Sequence, residues 1–172
     1  DGKTGNVTAI QLDSARIAAG SASSPIHLEA RGTFEGKRME ATGTRGPLAM
    51  LLANAPAYPV DIEGKIGAAS MRVHGTIDKP REPGGFSLAL RAQVPEFAEF
   101  AALLGATLPP FGPFRGATQL TGTPAAPVFS GVDIELGTPE KMALTARGEL
   151  AGSVAAGGSY VWQSTGIDLT IA

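Results

Sequence analysis

The sequence predicts a mostly β protein: a long antiparallel sheet, curled around an apolar inner groove, with one or two short helices. Three observations carry this. Seven segments alternate apolar and polar residues with period two. The 23 glycines and 13 prolines are spread between these segments as turn punctuation and are not pooled in a linker. Only two segments break the alternation, and both take helical spacing instead. The same pattern also fits a β-sandwich, because one-sided strands bury their apolar faces either against a second sheet or inside a curl of their own.

The first strong segment is IHLEARGTF, residues 26–34. It puts Ile26, Leu28, Ala30, Gly32 and Phe34 on one face and His27, Glu29, Arg31 and Thr33 on the other. Residues 60–66 (VDIEGKI) and 71–77 (MRVHGTI) repeat the pattern. So do 86–94 (FSLALRAQV), 132–136 (VDIEL), 142–150 (MALTARGEL) and 167–171 (IDLTI). Weaker candidates lie at 7–12, 38–44, 117–123 and 160–163, which brings the expectation to about ten strands. One wet face and one apolar face is the antiparallel signature.

Residues 95–104 (PEFAEFAALL) read as a helix. Proline opens the segment, Gly105 follows it, and Phe97, Phe100, Ala101 and Leu104 fall on one helical face. That stripe is expected to cap an apolar sheet edge or an open end. A basic membrane-surface helix is disfavoured, since its polar face carries Glu96 and Glu99 and no cation. Residues 47–53 (PLAMLLA) form a shorter version, and a proline-containing loop follows each.

VDIE occurs at 60–63 and again at 132–135. About a dozen residues later each is followed by apolar-polar-Gly-polar-apolar, at 73–77 and 146–150; the same five-residue pattern stands at 30–34. The spacing is too long for a strict solenoid, so this is a repeated strand-strand grammar. Its glycine, on the apolar face, lets the sheet bend or a neighbouring backbone approach.

Composition narrows the function classes. Of 172 residues, 14 are basic and 16 acidic, for a net charge of −2. This is no footprint for nucleic acid and no polybasic patch for anionic headgroups. There is no cysteine, hence no disulfide framework and no thiolate metal site. No run reaches the ~18–20 apolar residues that span a bilayer. The chain starts at Asp1 and stops inside an alternating run, so it is expected to be one β-rich module, residues 1–172, cut from a longer protein.

Candidate chemistry is sparse. His27 and His74 sit at polar-face positions among charged residues and read as exposed, with no metal expected. Asp61 with Glu63, and Asp133 with Glu135, share a strand face, as a carboxylate pair could, but glycosidase carboxylates come from different elements lining a cleft. Solvated strand decoration is the simpler reading. Gly2, Lys3 and Thr4 imitate the end of a phosphate-binding loop without its strand, first glycine or helix. Tyr160, Trp162 and Phe129 could stack a sugar, or simply pack. No serine or other nucleophile has a histidine beside it, so no catalytic residue and no cofactor is expected.

An ordered series of segments carries a family resemblance. It runs GPLAMLLANAPAYP (46–59), PVDIEGKIGAASMRVHGTIDKP (59–80), GGFSLALRAQVPEFAEFAALLGATLPPFGPFRG (84–116) and VDIELGTPEKMALTARGEL (132–150). The series resembles the AsmA family of Gram-negative envelope proteins, the group related to TamB and YhdP, over roughly residues 26–151. The resemblance implies a curled sheet with an apolar groove, similar in shape to chorein-type bridge-like lipid transfer proteins. It implies a periplasmic module of a protein anchored in the inner membrane, concerned with phospholipid transport and outer-membrane biogenesis, with no catalytic motif.

The expected partner is therefore a phospholipid or other acyl lipid, bound by a monomeric fragment. The groove lining is expected to include Ile62, Val73, Leu88, Leu90, Ile134 and Leu144, with Phe97, Phe100 and Leu104 as the helix cap. Two rivals come from other classes: a structural or adhesion β-sandwich that binds no lipid and, more remotely, a carbohydrate-active jelly roll.

Overall fold

Each strand of this protein pairs with the next one in the chain. The computed structural model describes residues 10–82, 84–103, 105–138, 140–154 and 160–171. The first half of the sheet holds β1 (Ile10–Ala18), β2 (Ile26–Phe34), β3 (Lys37–Arg45), β4 (Tyr58–Ile66) and β5 (Ala69–Ile77). The second holds β6 (Phe86–Val94), β7 (Phe114–Thr123), β8 (Ala126–Thr138), β9 (Lys141–Val154) and β10 (Tyr160–Ile171). Helix α1 (Leu48–Leu52) joins β3 to β4, and α2 (Phe97–Leu103) joins β6 to β7.

The ten strands make one sheet in sequence order, antiparallel throughout. Among the described residues β1 and β10 do not pair, so the sheet is open and not a barrel. This overturns the β-sandwich alternative, because the described residues form no second sheet for the apolar face to stack on. Two-residue turns close the β2–β3, β4–β5 and β7–β8 hairpins, and where the connection is longer the strand still returns beside its predecessor, as consecutive elements commonly do.

The curl toward the apolar face has a local cause. Met71 on β5 and Ile167 on β10 would stand about 24 Å apart in a flat sheet, yet both line one cavity on the apolar face. The glycines of the repeated five-residue pattern permit this. A Cβ at Gly75 (φ +149°) would collide with the carbonyl oxygen of Ser87 on the neighbouring strand. One at Gly148 (φ +152°) would lie 2.8 Å from the Gly166 carbonyl oxygen and 2.9 Å from the Ile167 side chain. Neighbouring backbone crosses where a side chain would be, which only glycine accepts.

The repeat is structural as well as textual. Val60 of the first VDIE pairs with Gly75, and Val132 of the second pairs with Gly148. Asp61 bonds Arg72 on the next strand, and Asp133 bonds Arg147 in the same way. Each two-strand unit therefore carries an Asp–Arg ion pair outside and a glycine bend inside.

Three elements differ most from the sequence expectation; β3, β4, β5, β7, β9 and both helices differ by one to four residues at their ends. The predicted strand at 7–12 is β1 (Ile10–Ala18), of which residues 7–9 lie outside the described residues. The segments 160–163 and 167–171 are one strand, β10, and 132–136 belongs to the longer β8. In each case a register shift interrupts the alternation, at Leu12/Ser14, Thr165/Asp168 and Phe129/Val132.

Candidate functional site

Register decides which side chains share the apolar face. Ile62 stands opposite Val73, and Val73 opposite Leu90. Leu88 faces Gly75 and Leu120, Ile134 faces Gly116 and Ala146, and Leu144 faces Leu136 and Ile171. All six residues expected to line the groove thus lie on one continuous face, and all six are half-buried. A closed core would bury such residues fully. Among the described residues only Tyr58, Val60, Ala69, Val94, Ala101 and Pro127 are buried apolar side chains.

This face holds a cavity of about 480 Å³ lined by residues from β5 to β10, within the usual size range of ligand pockets. Leu90, Phe114, Phe129, Val132, Ile134 and Leu150 line it. Of the six expected residues the cavity brings together Leu90 and Ile134; Ile62, Val73, Leu88 and Leu144 continue the face beyond it. Sequence reading missed Phe114, Val132 and Leu150. Phe114 stands at the end of a proline-rich loop, where alternation gives no phase, and Val132 follows a register shift.

The two helices sit on opposite rims. At one rim α2 rests over Ile66, Ala69 and Val94, with Phe100 and Leu103 facing a 250 Å³ hollow between helix and sheet. Phe97 stacks on Phe114, ring centroids 5.2 Å apart at 30°. Ala101 is buried. The backbone N–H of Phe97 donates to the Gly112 carbonyl at 2.9 Å, and Glu96 Oε1 accepts from the N–H of Gly112 at 3.2 Å. Of the three residues expected as the helix cap, Phe97 stacks on Phe114 and Phe100 faces the hollow between α2 and the sheet; Leu104 lies outside the described residues. At the other rim Tyr58, buried below α1, donates its hydroxyl to the Gly46 carbonyl at 2.7 Å. Arg81 donates to the Leu52 carbonyl at 2.9 Å, tying α1 to the β5–β6 loop.

The opposite face is polar and carries several ion pairs. Asp61 accepts both Nε (3.0 Å) and Nη2 (2.7 Å) of Arg72, and His74 Nδ1 lies 3.5 Å from the same carboxylate. The hydrogen bonds from Arg72 hold the Asp61 carboxyl below its usual value, and Asp61 in turn raises Arg72. Lys65 meets Glu63 at 3.1 Å. One row of this face crosses the whole sheet, from Arg16 on β1 through Glu29, Glu63 and Arg72 to Asp133, Arg147 and Asp168 on β10.

His27 and His74 are exposed on this polar face, as read from sequence. Among the described residues no three of His, Cys, Asp and Glu gather into a metal-binding group. Phe129 and Trp162 do meet, with ring centroids 5.9 Å apart, on the apolar face; the side chain of Tyr160, and Gly2, Lys3 and Thr4, lie outside the described residues. No described helix is long and apolar enough to cross a membrane. No family model, curated protein or solved structure matches the chain.

Proposed function

We propose that this chain is a non-catalytic lipid-binding module of the bacterial cell envelope, built on the plan of the AsmA family. Its concave apolar face holds acyl chains and its convex face stays in water. On this reading the module works in the periplasm, within a protein held in the inner membrane, and takes part in phospholipid transport and outer-membrane biogenesis.

One observation carries the reading. Among the described residues a single sheet presents an apolar face across ten strands and leaves it half-exposed, with no second layer to cover it. Contiguous exposed apolar surface of this kind marks a binding site. Aliphatic side chains dominate the lining, and they suit a flexible hydrocarbon that offers nothing to hydrogen-bond.

Magnitudes set how much lipid must enter. Each acyl methylene withdrawn from water contributes about 0.8 kcal/mol. Half a chain, about eight methylenes, yields roughly 6 kcal/mol, against an association cost of at least about 4 kcal/mol. Lipid retained through purification therefore needs more than half a chain in the groove.

The test is native mass spectrometry of the purified chain, followed by solvent extraction. The reading expects bound phospholipid that is released on denaturation. Folded protein that carries no lipid and takes up no fluorescent acyl-chain probe would refute it.

A further inference from the structure

We propose that the hollow beneath α2 is a terminal subsite of the groove. It seats the methyl end of an acyl chain whose remainder lies in the 480 Å³ cavity. Phe100 and Leu103, which line the hollow, then set the chain length that the module prefers. The inference rests on the lipid-binding reading above and adds a specificity-determining element to it.

The hollow adjoins the cavity. Met71 and Ala92 pair across β5 and β6 and line the cavity. Ala69 and Val94 stand two residues further along those strands, on the same face and about 7 Å away, and they line the hollow. Val94 pairs in turn with Phe114, which lines the cavity and stacks on Phe97 of α2. The end wall of the cavity and the helix above the hollow are thus joined in one contact.

The hollow is apolar space that the chain itself does not fill. Ala69 and Val94 are buried on its floor, while Phe100 and Leu103 stay half-buried across 250 Å³ of open space. Protein interiors hold few voids larger than a water molecule, and a void deprives its lining of contacts. An apolar cavity of roughly 150 Å³ takes a benzene ring, so this one admits the last several carbons of a chain.

Charge sets the direction of that chain. Glu96 and Glu99 border the hollow against one cation, Lys37, which lies 3.9 Å from Glu99. This excess of negative charge repels an anionic headgroup and leaves hydrocarbon as the end that enters. Among the described residues the charged ones bordering the cavity are both cations, Arg91 and Arg147. The anionic end of the ligand is therefore better placed on the cavity side.

The experiment is displacement of a fluorescent acyl-chain probe by saturated fatty acids, from decanoate to stearate. Each methylene admitted tightens binding about fourfold, so wild-type affinity should climb with length until the hollow is full. Leu103→Trp fills the hollow. It should weaken stearate about tenfold or more, the worth of roughly two methylenes, and leave decanoate within about twofold. Phe100→Ala enlarges the hollow and should extend the climb to longer acids. Leu52→Ala, on α1 at the opposite rim and 62% exposed in the wild type, should leave the length dependence unchanged. Folding of each variant is checked by circular dichroism, and either hollow variant, once folded, decides the question alone. A change that is equal at every chain length, or no change, overturns the subsite and leaves lipid binding standing. A folded wild type that binds neither the probe nor any of the acids overturns the lipid-binding reading itself, and the subsite with it.

Discussion

Asp61 and Ile62 are neighbours in β4 and lead opposite lives. Asp61 turns to the convex face, where Arg72 meets it with two hydrogen bonds and His74 stands alongside. Ile62 turns to the concave face, where it meets Val73 and remains half-exposed. The contrast repeats at Asp133 and Ile134: the first is paired with Arg147, and the second lines the 480 Å³ cavity. One face pairs these carboxylates within the chain. The other leaves apolar surface in contact with water, which an isolated fold has no reason to keep. The free energy unspent there is what an acyl chain would recover.

The comparison breaks first at the glycine bends. Gly75→Val puts a branched side chain where the Ser87 carbonyl passes, at a φ of +149°. Strain and overpacking together should cost about 3–5 kcal/mol, read by urea denaturation. His74→Gln, one residue away on the convex face, should stay within about 0.5 kcal/mol. Equal effects at the two positions would mean that the faces do not differ.

The rims come next. Phe100 is half-buried between α2 and the sheet. Phe100→Ala should cost about 1–3 kcal/mol, less than the ~3–5 of a fully buried ring. An unchanged melting temperature would show that α2 does not rest on the sheet. At the opposite rim, Tyr58→Phe leaves the Gly46 carbonyl without its buried donor and should cost about 1–2 kcal/mol by the same denaturation assay.

The smallest effect lies on the convex face. Arg72 depresses the Asp61 carboxyl below its ordinary value of 3.8. A carboxyl depressed on folding stabilises the protein above its unfolded value and loses that contribution as pH falls through the folded one. Wild type should therefore exceed Asp61→Asn by about 0.2–1 kcal/mol near neutral pH, and the gap should close below about pH 4. A gap that widens on acidification would contradict the assignment.

Alternation made most of this fold legible. Residues 26–34 and 86–94 were readable to the residue as β2 and β6, because no irregularity interrupts them. Legibility failed where a register shift changes the phase. At Thr165/Asp168 the shift splits β10 into two apparent strands, and at Leu12/Ser14 it moves β1. An extra residue swaps the faces, and a period-two reading sees an end where the strand continues. The choice between groove and sandwich was not legible at all, since it depends on which distant strands pair. The apolar face was readable at Leu90 and Ile134, whereas the cavity needed the curl that brings Met71 and Ile167 to one place.

The most direct test compares two adjacent residues of β6. Leu90 and Arg91 both border the cavity, Leu90 from the apolar face and Arg91 from the polar row, where it stands opposite Arg72 and Ala117. Leu90→Glu and Arg91→Glu should each be purified, shown to be folded by circular dichroism, and extracted for phospholipid. A carboxylate in the groove loses apolar contact and costs desolvation as well. The account predicts that folded Leu90→Glu retains far less lipid than wild type, while Arg91→Glu retains a wild-type amount. Equal retention by the two folded variants, or wild-type protein that carries no lipid while Leu90→Glu merely unfolds, would contradict it.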